Sequence, residues 1–246
     1  MNKTVIQNSV GDWYQIMTPI FMTQTFQKIA ATIRDSRTAG KTIFPDTTKT
    51  FRALKLCQLK DVQVVILGQD PYHDGSATGL AFANAGDKRR ISPSLKNIIT
   101  AVENDYGKDH NVNVKGLLDV DVTLESWAKQ GVLLLNTALS VEKGAPNSHT
   151  ELWKPFTKMF IEALSINKPK LVFVLWGKKA QEYETYIRGN HTILKAAHPA
   201  AESYSGGRAG FFTCGHFSRI NQVVSRPIEW HKSDIVKYDK DKYYLV

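Results

Sequence analysis

A chain of 246 residues with 42% hydrophobic content can build a full core, which sets aside disordered and disulfide-stapled classes. Its two cysteines, Cys57 and Cys214, have neither metal-ligand spacing nor a disulfide framework, so a reducing, cytoplasmic setting is expected. The formal net charge of +9 favours a polyanionic partner, although it is spread along the chain rather than gathered in a tail.

The opening residues, MNKTVIQNSVGDWYQIM, lack the apolar stretch and cleavage pattern of a leader. No run approaches the ~18 apolar residues of a membrane span. From Phe21 to Ile33, apolar residues recur at Phe21, Met22, Phe26, Ile29, Ala30 and Ile33, which predicts a helix. Residues 61–68 then form a β-branched run ending at Gly68, read as a buried strand. Similar runs follow at Gly131–Asn136, Lys170–Gly177 and His191–Ala197. Helical patterns near Leu95–Tyr106, Thr123–Lys129, Pro155–Ile166 and Lys179–Arg188 lie between them. Continuous apolar strands suit a parallel sheet covered on both faces, so the alternation predicts an α/β sandwich with right-handed crossovers. Residues 1–246 are expected to form a single domain.

Each strand candidate ends in a polar segment carrying glycine, proline or asparagine: GQDPYH, NTALSV, WGKKAQ and HPAAES. In an open parallel sheet such segments converge on one edge, where ligands bind. Asp70, Asn136, Gly177 and His198 are therefore expected to be neighbours. Ordinary strand-to-helix loops would explain the glycines and prolines, but not the gathering of Asp, Asn and His.

These residues resemble the family 1 uracil-DNA glycosylases. The resemblance is carried by GQDPYH at 68–73, GLAFA at 79–83, LLLNTALSV at 133–141, the HP pair at 198–199 and GFFTCGHFSRIN at 210–221. The stretch from Phe44 to His73 and SPSLKNI at 92–98 follow the same pattern, and the likeness runs from about Trp13 to Ile228. It implies a central four-stranded, mostly parallel sheet flanked by helices as a three-layer sandwich. It further implies hydrolysis of the N-glycosidic bond of deoxyuridine in DNA, starting base excision repair, with no metal or organic cofactor.

A base in a duplex must be flipped out before it can be cleaved. Bond breaking then develops positive charge on the sugar and negative charge on uracil, which calls for an anion beside one and a neutral donor beside the other. By resemblance, Asp70 is the anion that also orients the attacking water, and His198 is the donor to uracil O2. Taken alone, Asp70-Pro71 could be a turn dipeptide and His198 a structurally bonded loop histidine. Asn136 carries a donor and an acceptor on one amide, matching uracil O4 and N3–H and mismatching cytosine. Tyr72 is expected to exclude a 5-methyl group, Phe82 to stack on the base or serve the core, and the Gln69 amide to bond a pyrimidine oxygen.

DNA contacts are expected from His73, from Ser92, Pro93 and Ser94, from Ser148 and His149, and from Gly177. Lys88, Arg89 and Arg90 could add phosphate attraction or be a solvated basic turn. Three departures from the family pattern stand out. The chain between Asp70 and Phe82 is slightly shorter, and Lys178 replaces a serine after Gly177, which makes binding more salt-sensitive. After His198 the usual wedge-bearing run is replaced by Pro199-Ala200-Ala201-Glu202, with extra residues before Phe211. An acidic wedge would be repelled by phosphates, so Tyr204 or Arg208 is expected to fill the gap in place of Glu202.

The expected partners are uracil-containing DNA, single- or double-stranded, and a DNA-mimicking protein inhibitor, with the enzyme a monomer. The alternatives are a non-catalytic DNA-binding relative, which would have lost Asp70 or His198, and a glycosylase of altered base or strand preference.

Overall fold

Four five-residue runs pair with one another at the centre of the molecule, and three of them are almost wholly apolar, so that neither of their faces can be left to water. In the computed structural model, which describes residues 3–85, 91–109 and 121–231, they are β2 (Val64–Gly68), β3 (Val132–Asn136), β5 (Val172–Trp176) and β6 (Thr192–Ala196). Their order is β3-β2-β5-β6, and every pairing is parallel. β2, β3 and β5 are buried throughout, while β6, at an edge, is only partly covered. A separate antiparallel ribbon joins β1 (Ile43–Phe44) to β4 (Val141–Glu142).

Helices flank the sheet. α7 (Thr150–Asn167) packs with α2 (Tyr14–Phe21) and α3 (Gln24–Thr38), and α5 (Pro93–Asp109) packs with α10 (His216–Val223). Shorter helices fill the corners: α1 (Lys3–Val10), α4 (Arg52–Leu56), α6 (Glu125–Lys129), α8 (Lys178–Gln181) and α9 (Ala201–Ser205). Among the described residues no helix is long and apolar enough to cross a membrane.

Three element boundaries differ from the sequence pattern. The periodic run from Phe21 to Ile33 is split, because the Thr23 hydroxyl accepts the Phe26 N–H at 3.2 Å and starts a new helix at Gln24. α7 begins at Thr150 rather than Pro155; the helix runs through the proline while Trp153, Phe156 and Phe160 bury one face of it. The segment expected to be one helix from Lys179 to Arg188 is α8 followed by a 3-10 stretch, Glu182–Tyr186. There the Gln181 amide donates to the strand carbonyls of Leu175 and Ala196, anchoring α8 to the sheet.

Candidate active site

The carboxyl ends of the strands build the site. Gly68 ends β2 directly opposite Asn136 at the end of β3. A Cβ on Gly68 would collide with Asn136 Oδ1 and come within 2.8 Å of the Ala81 methyl, so glycine is what lets the Asn136 amide lie there. Asn136 is 8% exposed, and among the described residues nothing bonds its side-chain amide. Its amide offers a donor and an acceptor to a ligand in the cavity it lines.

Beyond Gly68 the chain is pinned. The Gln69 carbonyl accepts from Ala138 N–H at 2.9 Å and from Thr137 Oγ1 at 2.8 Å, and the Gly68 carbonyl accepts from Thr137 N–H at 2.9 Å. That positions Asp70, half-buried, whose Oδ2 accepts the Asn147 N–H at 2.7 Å. Burial raises the Asp70 carboxyl above its ordinary range, while the Asn147 N–H and nearby His73 pull the other way. The Gln69 side chain donates to Asn147 Oδ1, so one turn residue touches both.

Tyr72 is held through its hydroxyl, which donates to the Phe82 carbonyl at 3.2 Å and lies 2.5 Å from Ser92 Oγ. Phe82 itself adopts a left-handed backbone (φ +64°). Its ring meets Trp176 at 5.7 Å and the His198 imidazole at 6.0 Å. His198 Nδ1 accepts the Ala200 N–H at 3.2 Å, which leaves the imidazole proton on Nε2. Burial holds its pKa below the usual histidine value. Gly177 (φ +87°) permits this placement, since a Cβ there would come within 2.8 Å of His198 Cβ.

The outcome is a cavity of about 160 Å³ lined by Gln69, Asp70, Tyr72, Phe82, Asn136 and His198, with His73 and Ser94 also on its wall. It offers a neutral N–H donor and a carboxylate on one wall set and a free amide at the end of β3. Gly177 and Lys178 line an adjoining recess of about 130 Å³ that shares Gln69 and His198.

The remaining expected contacts sit elsewhere. Ser92 bonds Tyr72 and caps α5 through Leu95 N–H at 3.1 Å, with Pro93 exposed beside it. Ser148 Oγ accepts the Glu142 N–H at 2.9 Å. His149 is turned inward, 7% exposed, with Nδ1 2.8 Å from Ser140 Oγ. Tyr204 is 89% exposed, Arg208 is exposed, and Glu202 is buried. Lys88, Arg89 and Arg90 lie outside the described residues. Sequence reasoning missed Asn147 and Thr137. The only available sign was Pro146-Asn147, a pair at home in turns, with asparagine tolerant of the left-handed backbone it adopts here (φ +65°).

Residues 54–237 match the model of the Uracil DNA glycosylase superfamily. The chain is 43% identical over 213 residues to the uracil-DNA glycosylase of Aeromonas salmonicida, across 84% of this chain and 91% of that protein. It is 40% identical over 239 residues to that of Agrobacterium fabrum, across 93% of each. The crystal structure of mimivirus uracil-DNA glycosylase shares the fold with a TM-score of 0.79 at 22% identity, over 94% of this chain and 89% of that one. A variant of the mimivirus protein, solved in complex with UGI, gives 0.81 at 23% identity, over 94% of this chain and 91% of that one.

Proposed function

The chain belongs to the uracil-DNA glycosylase superfamily, and from that premise we propose that Asp70 and His198 carry out its reaction on opposite charges of one transition state. The chain is a hydrolytic N-glycosylase that excises uracil from DNA and leaves an abasic site. The bond between the sugar C1′ and uracil N1 breaks with its electron pair on uracil, the water oxygen bonds C1′, and the proton that water loses ends on the uracil anion, so that the products are the abasic sugar and neutral uracil. Asp70 faces the cationic sugar and orients that water. His198 donates from Nε2 to uracil O2 as negative charge collects there. A neutral donor suits this better than a cation, because an imidazolium in a water-poor pocket would need its own counter-charge. The fixed tautomer and depressed pKa of His198 support the role.

Asn136 reads the base through O4 and N3–H, and cytosine would leave both halves of its amide mismatched. Tyr72 closes the space a 5-methyl group would need, Phe82 stacks on the ring, and the Gln69 N–H bonds a pyrimidine oxygen. The observation that carries this reading is that Asp70, Asn136 and His198, distant in sequence, line one cavity.

The DNA backbone would be gripped around the cavity by His73, by Ser92, Pro93 and Ser94 at the start of α5, and by Gly177 and Lys178 at the start of α8. Ser148 stands at an exposed turn on the same side of Asp70, whereas buried His149 acts through the fold of that turn. Tyr204, with Arg208 nearby on the same loop, is the group that enters the duplex where uracil has left. The net charge of +9 favours the polyanion throughout. A DNA-mimicking protein inhibitor would use the same face, in keeping with the UGI complex of the mimivirus variant. We take the enzyme to act as a monomer in the cytoplasm.

The test is release of free uracil from labelled oligonucleotides in the presence of EDTA. The wild-type chain should release uracil and leave thymine and cytosine controls intact, and Asp70→Asn should abolish release. Full activity of Asp70→Asn would overturn the assignment.

A further inference from the structure

Glu202 is a carboxylate that the fold has taken out of water. It is 2% exposed, and among the described residues no lysine or arginine pairs with it. A buried charge is tolerable only when hydrogen-bonded. Here main-chain amides do this: Oε2 accepts from Ala209 N–H at 3.0 Å, and Oε1 accepts from Phe212 N–H at 3.0 Å and from Phe211 N–H. The Ser205 hydroxyl lies 3.4 Å from Oε2, and the Glu202 carbonyl accepts Gly207 N–H at 2.9 Å. Burial by itself would raise this carboxyl, yet the three amides and the hydroxyl outweigh it and keep the group anionic.

The geometry converts a loop into a mount. By gripping the chain at Ala209, Phe211 and Phe212, Glu202 closes the excursion that begins just after it. Tyr204, on that excursion, points its large ring outward at 89% exposure. A second tie comes from α5: Asn97 Nδ2 donates to the Pro199 carbonyl at 2.8 Å and to Ser203 Oγ at 2.9 Å. The same helix begins at Pro93, next to the Ser94 that lines the cavity. The loop after His198 is thus fixed at its base, to its own far end and to a neighbouring helix.

We propose that Glu202 is a positioning residue that pre-forms this loop, so that Tyr204 meets duplex DNA already in place. The inference rests on the reading of Tyr204 as the group that enters the duplex. A loop ordered during folding need not be ordered again when DNA binds, so its contribution appears in duplex excision. Single-stranded substrate has no stack to open and gains nothing from the mount. The acidic side chain, which would be repelled by phosphates at the surface, is kept inside by the very amides it organises.

The experiment compares kcat/KM for uracil in single- and double-stranded oligonucleotides in wild type, Glu202→Gln, Asn97→Ala and Tyr204→Ala, with thermal melting of each. Glu202→Gln offers the loop amides one poorly matched acceptor set, and duplex excision should fall roughly tenfold while single-strand excision stays within about twofold. Asn97→Ala should shift the same ratio in the same direction, and it carries the test if Glu202→Gln does not fold. An equal fall on both substrates, or no change on either, overturns the inference, because general destabilisation does not alter the ratio. Tyr204→Ala separates the two readings. If it leaves the ratio unchanged, the entry of Tyr204 into the duplex is wrong; if it lowers duplex excision while Glu202→Gln and Asn97→Ala do not, only the mount is wrong.

Discussion

The backbone N–H of Asn147 donates to Asp70 Oδ2 at 2.7 Å, so a turn after β4 holds the carboxylate that stands at the end of β2. The bond engages one of the two carboxylate oxygens. It depends on a left-handed residue, φ +65°, that presents its amide inward while its side-chain oxygen receives Gln69.

Asn147→Val should therefore be far more damaging than Asn147→Gly. A β-branched residue resists the left-handed region by about 1–2 kcal/mol and would turn the amide away, whereas glycine keeps both the backbone and the N–H. Without that bond the Asp70 carboxyl, already raised by burial, rises further. The acidic limb of kcat/KM should move to higher pH in Asn147→Val and stay near wild type in Asn147→Gly. Coincident pH profiles for the two variants would show that the amide does not tune Asp70.

Asp70→Asn should gain stability as it loses activity. Because burial raises the folded-state pKa above its ordinary 3.8, the folded chain binds this proton more tightly than the unfolded chain. Its contribution to stability is full below that ordinary value and is lost as pH rises through the raised one. At neutral pH the charge is a net cost, and the asparagine carbonyl can still accept from Asn147. Melting at pH 7 should rise by roughly 2–4 °C for each kcal/mol relieved, with the gain shrinking towards pH 3. A lower melting temperature at pH 7 would contradict this.

His198 should be neutral at pH 7 with its proton on Nε2. Imidazole nitrogen shifts measured by NMR report both the tautomer and the titration. Burial lowers its pKa from the ordinary 6.5, so the stability this neutral state contributes is present above 6.5 and is lost as pH falls through the depressed value. Excision should stay insensitive to His198 protonation until the same depressed value is reached. A proton found on Nδ1, or a midpoint at or above 6.5, would remove the basis for its donor role. His198→Ala should cost about 10²–10³ in kcat, the range for loss of one charge-stabilising donor.

Gly68→Ala should impair catalysis as well as folding. The added methyl has nowhere to go except into Asn136 Oδ1 and the Ala81 methyl, so Asn136 must move, and the proposed reading of the base by that amide would be lost with it. The expected result is a fall in kcat/KM for uracil of about tenfold or more, with stability reduced by roughly 1–3 kcal/mol. Unchanged kinetics would mean that Asn136 does not read the base from this position.

Hydrophobic pattern was enough for the sheet. Runs such as Val64–Gly68 and Val172–Trp176 have no polar face, so a doubly covered parallel strand is the arrangement that suits them, and the convergence of Asp70, Asn136 and His198 follows from it. The same pattern blurred the helix boundaries, since apolar periodicity runs unbroken through Met22 and Thr23 and gives no sign of the cap there. Side-chain chemistry identified the groups able to donate, accept or carry charge. It was silent on which backbone amides they would meet. Asn147 acts on Asp70 through an N–H that every residue but proline possesses, and Thr137 and Asn97 hold carbonyls that look alike in any chain. Glu202 illustrates the division. Its composition and place in the chain said only that an acid does not belong in a base stack; packing turned it inward, onto the amides of Ala209, Phe211 and Phe212. Residue type and periodicity are local properties, whereas a hydrogen bond across the fold exists only once distant backbone has been brought within hydrogen-bonding reach, and folding alone does that.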